Sequence, residues 1–194
     1  MKLITHINEL IKKKINQNKN IVLFGQNINA GSCLSGLTKG LDVKKKNIII
    51  NTQNSENSLV GLGFGLMLQG ISSIFFMKQL DFLLLSIDQL VNTYNIIRSN
   101  KINASFTILP VTVDSGFEGP QSSLNNLDDF CSIAGIEGFS MTNYFDSQKI
   151  INSHLIKNGF RIITVGQKDL NKDCINIKPI NEDQNSNFFQ YKKG

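Results

Sequence analysis

One carboxylate, that of Glu56, stands out by its position. It lies between the apolar run at residues 48–50 and an apolar segment that begins at Leu59. If the first is a strand and the second a helix, Glu56 lies at the carboxyl edge of a sheet, where open α/β proteins bind ligands and a carboxyl group can exchange protons. A structural role explains the residue equally well. Asn54 or Ser55 would cap the helix, and the negative charge of Glu56 would interact favourably with the helix dipole.

Four glycines follow in the same apolar segment, at positions 61, 63, 65 and 70. A dinucleotide-binding loop would need the spacing G-x-G-x-x-G directly after a strand, but Leu66 occupies the place of the third glycine. A glycine inside a helix costs about 1 kcal/mol relative to alanine. We therefore predict that Gly61 and Gly65, one turn apart, allow another helix to approach closely.

A second candidate region is the turn-rich loop at residues 116–123, which follows a predicted strand and precedes a predicted helix. Loops in that position often carry function. The loop has no histidine or cysteine, and the two histidines of the chain, His6 and His154, fall in amphipathic helices. We predict that both are surface residues, so no Ser/His/Asp or Cys/His constellation is expected.

The elements that would position these residues alternate along the chain. Strands are predicted at residues 21–24, 48–50, 71–77, 106–113, 136–141 and 161–165. Helices are predicted at residues 3–15, 59–69, 82–98, 124–132 and 147–158, the third with Leu84, Ile87, Leu90, Val91 and Tyr94 on one face. The all-apolar runs at 21–24 and 48–50 are typical of strands covered on both faces. The pattern predicts an α/β fold with a mainly parallel sheet and helices on both faces, over residues 1–166, followed by a polar tail at 167–194.

Composition excludes several classes of function. Lys plus Arg number 20 against 15 Asp plus Glu, but the basic clusters are scattered and have no interleaved aromatics, so nucleic-acid binding is not expected. The uncharged stretch at residues 58–77 is interrupted by polar and glycine residues, which favours a buried helix and strand over a membrane span. The three distant cysteines predict reduced thiols and no metal site. With no apolar signal segment at the start, we expect a cytoplasmic protein.

Several segments together resemble one known family. They are residues 37–41, 51–65, 81–92 and 119–123, which read LTKGL, NTQNSENSLVGLGFG, DFLLLSIDQLVN and GPQSS. The chain resembles the pyrimidine-binding domain of thiamine-diphosphate enzymes of the transketolase and 2-oxo acid dehydrogenase type, over about residues 1–166. It is most similar to the β subunit of the decarboxylating component of 2-oxo acid dehydrogenases.

The resemblance implies roles for individual residues. Glu56 matches the glutamate that hydrogen-bonds the N1′ nitrogen of the cofactor's aminopyrimidine and so promotes formation of the reactive carbanion. Phe82 matches an aromatic residue packed against the pyrimidine. Asn54 and Gln79 match further cofactor-site positions, where the family usually has an apolar and an aromatic residue, so we expect a more polar pocket.

The resemblance also has departures on the substrate side. The family's β subunits usually have a histidine at the position of Ser122, and it assists acyl transfer to a lipoyl group. Because that histidine is absent, lipoyl-linked transfer is not expected, and the substrate would instead contact residues of the partner chain or, on this chain, Gln79, Gln121, Ser122 or Ser123. The second, C-terminal domain of those β subunits has no counterpart in residues 167–194.

Partners and reaction follow from the same resemblance. The family holds the diphosphate and Mg²⁺ on an α-type subunit, through a Gly-Asp-Gly motif that this chain lacks. We expect a heterotetramer whose enzyme activity requires that partner, and decarboxylation of a 2-oxo acid with transfer of the resulting unit. Transketolase-like ketol transfer and a non-catalytic regulatory subunit are the alternatives.

Overall fold

A six-stranded sheet forms the centre of the computed structural model, which describes residues 1–42, 44, 46–114, 126–174, 181–182 and 189–190. Its strands are β1 (Val22–Gly25), β2 (Ile48–Asn51), β3 (Ser73–Met77), β4 (Ser105–Thr112), β5 (Gly138–Met141) and β6 (Gly159–Gly166). The strand order is β2-β1-β3-β4-β6-β5, and every neighbouring pair is parallel.

Helices cover both faces of this sheet. They are α1 (Leu3–Gln17), α2 (Glu56–Leu68), α3 (Tyr94–Ile97), α4 (Leu127–Ala134), α5 (Tyr144–His154) and α6 (Gln167–Leu170). One apolar core joins the sheet to α1, α5 and α6, and a second joins it to α2, α3 and α4. The predicted α/β fold with a parallel sheet and helices on both faces is therefore confirmed. A short antiparallel pair, β7 (Asn181–Glu182) with β8 (Phe189–Gln190), lies apart from this sheet.

Strand β2 differs from its prediction. It forms the edge of the sheet, and the side chains of Ile48 and Ile50 are 53% and 40% exposed. The expectation that residues 48–50 are covered on both faces was therefore wrong. Three successive isoleucines suit an edge strand as well as a central one, because β-branched residues favour any extended backbone.

The helix predicted at residues 82–98 is present, but its type changes along its length. Residues 80–97 are helical throughout, with a 3₁₀ helix at Leu80–Ser86, a π-helical turn at Gln89–Thr93 and then α3. Leu84, predicted to face the core, is 50% exposed, whereas its neighbour Leu83 is fully buried. Buried positions in a 3₁₀ helix recur about every 3.0 residues, so the α-helical spacing misplaced Leu84.

Helix α2 rests on the sheet through a different glycine from those predicted. A Cβ at Gly63 would overlap the ring of Phe106 on β4, whereas a Cβ at Gly65 would meet open space. At Gly61 it would make ordinary contact with the Gln89 side chain. The prediction that Gly61 and Gly65 permit a close helix approach is thus wrong within this chain, and Gly63 is the position that requires glycine.

Both histidines are buried, contrary to the surface positions predicted. His6 stacks on the ring of Tyr144 with centroids 4.1 Å apart, and His154 lies 4.1 Å from the ring of Phe139. Burial lowers the pKa of each imidazole below its usual value. The helical pattern that placed these residues on outer faces counted histidine as polar, although a neutral imidazole packs well against aromatic rings.

The first part of the segment predicted as a tail packs on the domain. Leu170 on α6 is buried in the core beneath α1. The backbone N–H of Leu3 donates to the carbonyl of Lys172 at 3.0 Å, and the N–H of Cys174 donates to the carbonyl of Met1 at 2.8 Å. Residues 167–174 therefore continue the folded unit beyond β6.

Replacing Gly63 with alanine tests the contact between α2 and β4. Because the added methyl group would overlap the Phe106 ring, we expect Gly63→Ala to lower the free energy of unfolding by about 1–3 kcal/mol. Gly65→Ala is the matched control in the same helix, and it should raise that free energy by up to about 1 kcal/mol. Urea denaturation measures both, and equal stability of the two variants would contradict the packing described.

The buried histidines predict a pH-dependent stability. In the unfolded chain both imidazoles take up protons near pH 6.5, whereas the fold holds them neutral, so acid favours unfolding. We expect the free energy of unfolding to be constant above about pH 7 and to fall as the pH drops from about 6.5 through the lowered pKa values. Urea denaturation across this range checks the slope. The double variant His6→Leu with His154→Leu should flatten it, and an equally steep slope in that variant would refute the assignment.

Candidate functional site

A crevice opens at the carboxyl edge of the sheet, between β1 and β3. After β1 the chain turns towards the α1 face, where Leu34 and Leu37 enter the core. After β3 it turns towards the α2 face, where Leu80 and Leu83 enter the other core. Two adjacent parallel strands whose connections leave on opposite faces form a switch point, the place where open α/β sheets bind ligands.

Glu56 lies on the α2 side of this crevice. It is the first residue of α2 and is half-buried. Ser55 occupies the N-cap position, but its side chain makes no capping bond, and its hydroxyl instead pairs with that of Ser58 at 2.9 Å. No hydrogen bond from the Ser55 side chain therefore supports the explanation of this segment as a helix cap.

The cleft that contains Glu56 is narrow. Its polar lining residues are Gln26, Asn54, Glu56 and Lys78, and its apolar lining includes Leu59, Phe75 and Met77. The enclosed volume is about 10 Å³, which holds about one water molecule. This chain thus presents a carboxylate beside an apolar wall without enclosing a ligand around it.

A larger pocket of about 320 Å³ adjoins the Glu56 cleft. Gln26 and Lys78 line both, so the two cavities lie on either side of this pair. The larger pocket continues along the strand ends to Val111 on β4 and to Gln167, the first residue of α6. We call it the switch-point pocket. Its volume lies at the lower end of the range for small-molecule sites.

The other residues predicted for the site fall in several places. Asn54 lines the cleft with Glu56, and Gln79 lines the switch-point pocket. Phe82 is half-buried in the 3₁₀ helix and packs against the core beneath α2, and it is not among the described residues lining either cavity. The substrate-side residues Gln121, Ser122 and Ser123 lie outside the described residues.

Three residues of the crevice were missed from sequence, namely Gln26, Lys78 and Asn51. Each lies at the end of an apolar strand or within two residues of it, and that position was a usable signal. Asn51 joins the end of β2 to the loop after β1, because its Oδ1 accepts hydrogen bonds from the backbone N–H groups of Ile28 and Asn29 at 2.9 and 3.3 Å. Its Nδ2 donates to Oδ1 of Asn29. This bracket fixes the loop that carries Gln26 into the crevice.

Over the described ranges, no group of three or more His, Cys, Asp or Glu side chains is arranged to hold a metal ion. Nor does any helix within those ranges have the length and apolar character needed to cross a bilayer. The three cysteines are free thiols.

Comparisons with known proteins support the fold. No family model matches the chain, and no curated protein matches its sequence. Among solved structures, the chain is similar to 2-oxoglutarate:ferredoxin oxidoreductase from Magnetococcus marinus, whose structure holds 2-oxoglutarate, coenzyme A and succinyl-CoA. The TM-score is 0.51 at 8% identity, over 86% of this chain and 29% of that one. The chain therefore spans less than a third of its neighbour and shares with it an α/β fold.

The Asn51 bracket gives a testable expectation for the site. Asn51→Leu removes the acceptor for the N–H groups of Ile28 and Asn29, and we expect their amide exchange to accelerate about fivefold, the effect of losing a bond of about 1 kcal/mol. Asn51→Asp keeps that acceptor and should preserve protection. Hydrogen exchange followed by NMR measures both, and unchanged exchange in Asn51→Leu would show that the loop is held in some other way.

Proposed function

We propose that this chain is the pyrimidine-side, β-type subunit of a two-chain thiamine-diphosphate enzyme that decarboxylates a 2-oxo acid and transfers the resulting unit. The observation that carries the proposal is the position of Glu56, at the first residue of α2 in a switch-point crevice. It is a carboxyl group beside apolar side chains at the carboxyl edge of a parallel sheet, in a segment that resembles the family's glutamate motif.

The residues present fit an aminopyrimidine edge. Leu59, Phe75 and Met77 offer an apolar wall, and Glu56 offers a carboxyl group beside it. Thiamine diphosphate, when bound, supplies a carbon nucleophile for the 2-oxo group. The role of Glu56 is to hold a proton at the N1′ nitrogen, and the wall excludes water from that hydrogen bond and so strengthens it. Asn54 adds a polar amide at the same edge.

The small volume of the cleft supports a shared site. A space of about 10 Å³ cannot enclose a pyrimidine ring, so a second surface must cover the remainder. In this proposal that surface is an α-type subunit that also holds the diphosphate and Mg²⁺. The lack of a Gly-Asp-Gly motif in this chain agrees with that division.

The outer face of α2 supports contacts with other subunits. Ser58, Leu62, Gly65 and Leu68 are exposed along one side of the helix, and none of them carries a charge. Leu62 and Leu68 are 41% and 46% exposed. An uncharged helix face that lacks bulky polar residues suits close packing against a second chain. We propose a heterotetramer with twofold symmetry that contains two copies of each subunit.

The choice of a 2-oxo acid rests on two supports. The first is the resemblance of residues 81–92 to decarboxylating β subunits. The second is the fold neighbour, whose name gives 2-oxoglutarate, itself a 2-oxo acid, as its substrate. Neither excludes ketol transfer or a regulatory role, so both are outcomes of the experiment.

The experiment uses this chain assembled with an α-type partner, thiamine diphosphate and Mg²⁺. We expect calorimetry to detect cofactor binding by the assembled pair but not by this chain alone. We also expect release of carbon dioxide from a 2-oxo acid without a sugar acceptor. Glu56→Gln should reduce turnover about 100-fold to 10,000-fold, because it removes a general acid–base group and leaves the shape of the side chain.

Glu137→Gln is the matched control. Glu137 precedes β5 at the amino edge of the sheet and is paired with Lys157 at 3.8 Å on the surface. The same chemical change there should leave turnover intact. A reaction that needs ketose phosphate would establish ketol transfer, and a partner fully active without this chain would establish the regulatory subunit.

A further inference from the structure

We infer that the switch-point pocket is a binding site for the carboxylate end of a small 2-oxo acid, with Lys78 as its cationic ligand. The inference rests on the proposed function and names the substrate side of that site. Lys78 is assigned no role by the sequence resemblance, which points instead to its neighbour Gln79 and to residues 121–123 for substrate contact.

The size of the pocket selects small ligands. Its volume of about 320 Å³ lies at the lower end of the range for small-molecule sites. A small acid such as 2-oxoglutarate, with about ten carbon and oxygen atoms, fits within a space of that size. The pocket is therefore suited to a small substrate.

The charge of the pocket selects anions. Among the described lining residues Lys78 alone is charged, and no described carboxylate forms an ion pair with it. The remaining polar lining comprises the amides of Gln26, Asn27, Gln79 and Gln167 and the hydroxyls of Ser32 and Ser35. Of these, the amides of Gln26 and Asn27 and the hydroxyls of Ser32 and Ser35 are donors suited to carboxylate and keto oxygens.

The apolar part of the lining favours a carboxylate with a carbon chain over a phosphate. Leu34, Val111 and Leu170 are the apolar residues of the lining, and they suit the methylene groups of a ligand. A phosphate dianion usually recruits several cations or backbone N–H donors, whereas this lining supplies one lysine. A single carboxylate matches that single cation.

The position of Lys78 relates this pocket to Glu56. Lys78 and Gln26 line both the switch-point pocket and the Glu56 cleft. A carboxylate held by Lys78 therefore lies next to the cleft proposed for the aminopyrimidine of the cofactor. The lysine would orient the acid so that its carboxylate, the group lost in decarboxylation, lies beside the shared wall of the two cavities.

The test measures binding of 2-oxoglutarate and pyruvate to the full chain without cofactor, by protein-observed NMR. We expect saturable binding at about millimolar concentration, with shifts at Gln26, Lys78 and Gln167. Lys78→Gln should weaken it at least about tenfold, and Lys78→Arg should retain most of it. Lys101→Gln, the same change at the amino edge of the sheet, is the matched control and should not alter binding.

Each result supports or overturns the inference. Equal binding by wild type and Lys78→Gln, no saturable binding of either acid, or stronger binding of ribose 5-phosphate and inorganic phosphate than of 2-oxo acids would overturn it. Melting temperatures of the variants verify that each is folded, which the exposure of Lys78 leads us to expect. The binding test contains no cofactor. Its outcome is therefore independent of whether the assembled pair binds thiamine diphosphate, which tests the proposed function.

Discussion

The depth at which α2 packs on the sheet depends on one missing side chain, that of Gly63. The ring of Phe106 occupies the space that a Cβ would take, and the same ring contacts Phe64 and Phe160 with centroids 5.2 Å away in each case. Interlocked rings resist sliding, because their edges and faces fit in few arrangements. Since α2 is one continuous helix, fixing its middle also fixes its first residue, Glu56, at the carboxyl edge of the sheet.

Much of the fold follows from local sequence. The interior strands β3 and β4 are buried at every position, so an apolar run is enough to predict them. Strand order is different, because it depends on pairings between distant segments. Residues 48–50 therefore gave no sign that β2 lies at an edge. At residues 82–98 the helix was predicted but its mixed type was not, since apolar side chains are so dense there that several helix types bury a plausible face.

The residues of the candidate site could be predicted where a single strand-to-helix connection places them. They could not be predicted where the ends of several strands come together. Glu56 follows from a strand that leads into a helix, which is a local pattern. Gln26 and Lys78 come together only because β1 and β3 are neighbours, and their connections leave on opposite faces. His6 was misplaced because its partner ring, Tyr144, is distant in sequence.

The exposed edge of β2 affects the tendency of the chain to self-associate. Within the part of the chain that the structure describes, no strand lies beside the outer backbone groups of β2, and Ile48 and Ile50 are exposed, so it can template an added strand from another copy. The three lysines at residues 44–46 lie just before this strand in the sequence. Their positive charges repel those of another copy and so oppose pairing through the edge. That protection is electrostatic, and at about 1 M salt it acts over only about 3 Å. High salt therefore promotes self-association through this edge even while the core stays folded.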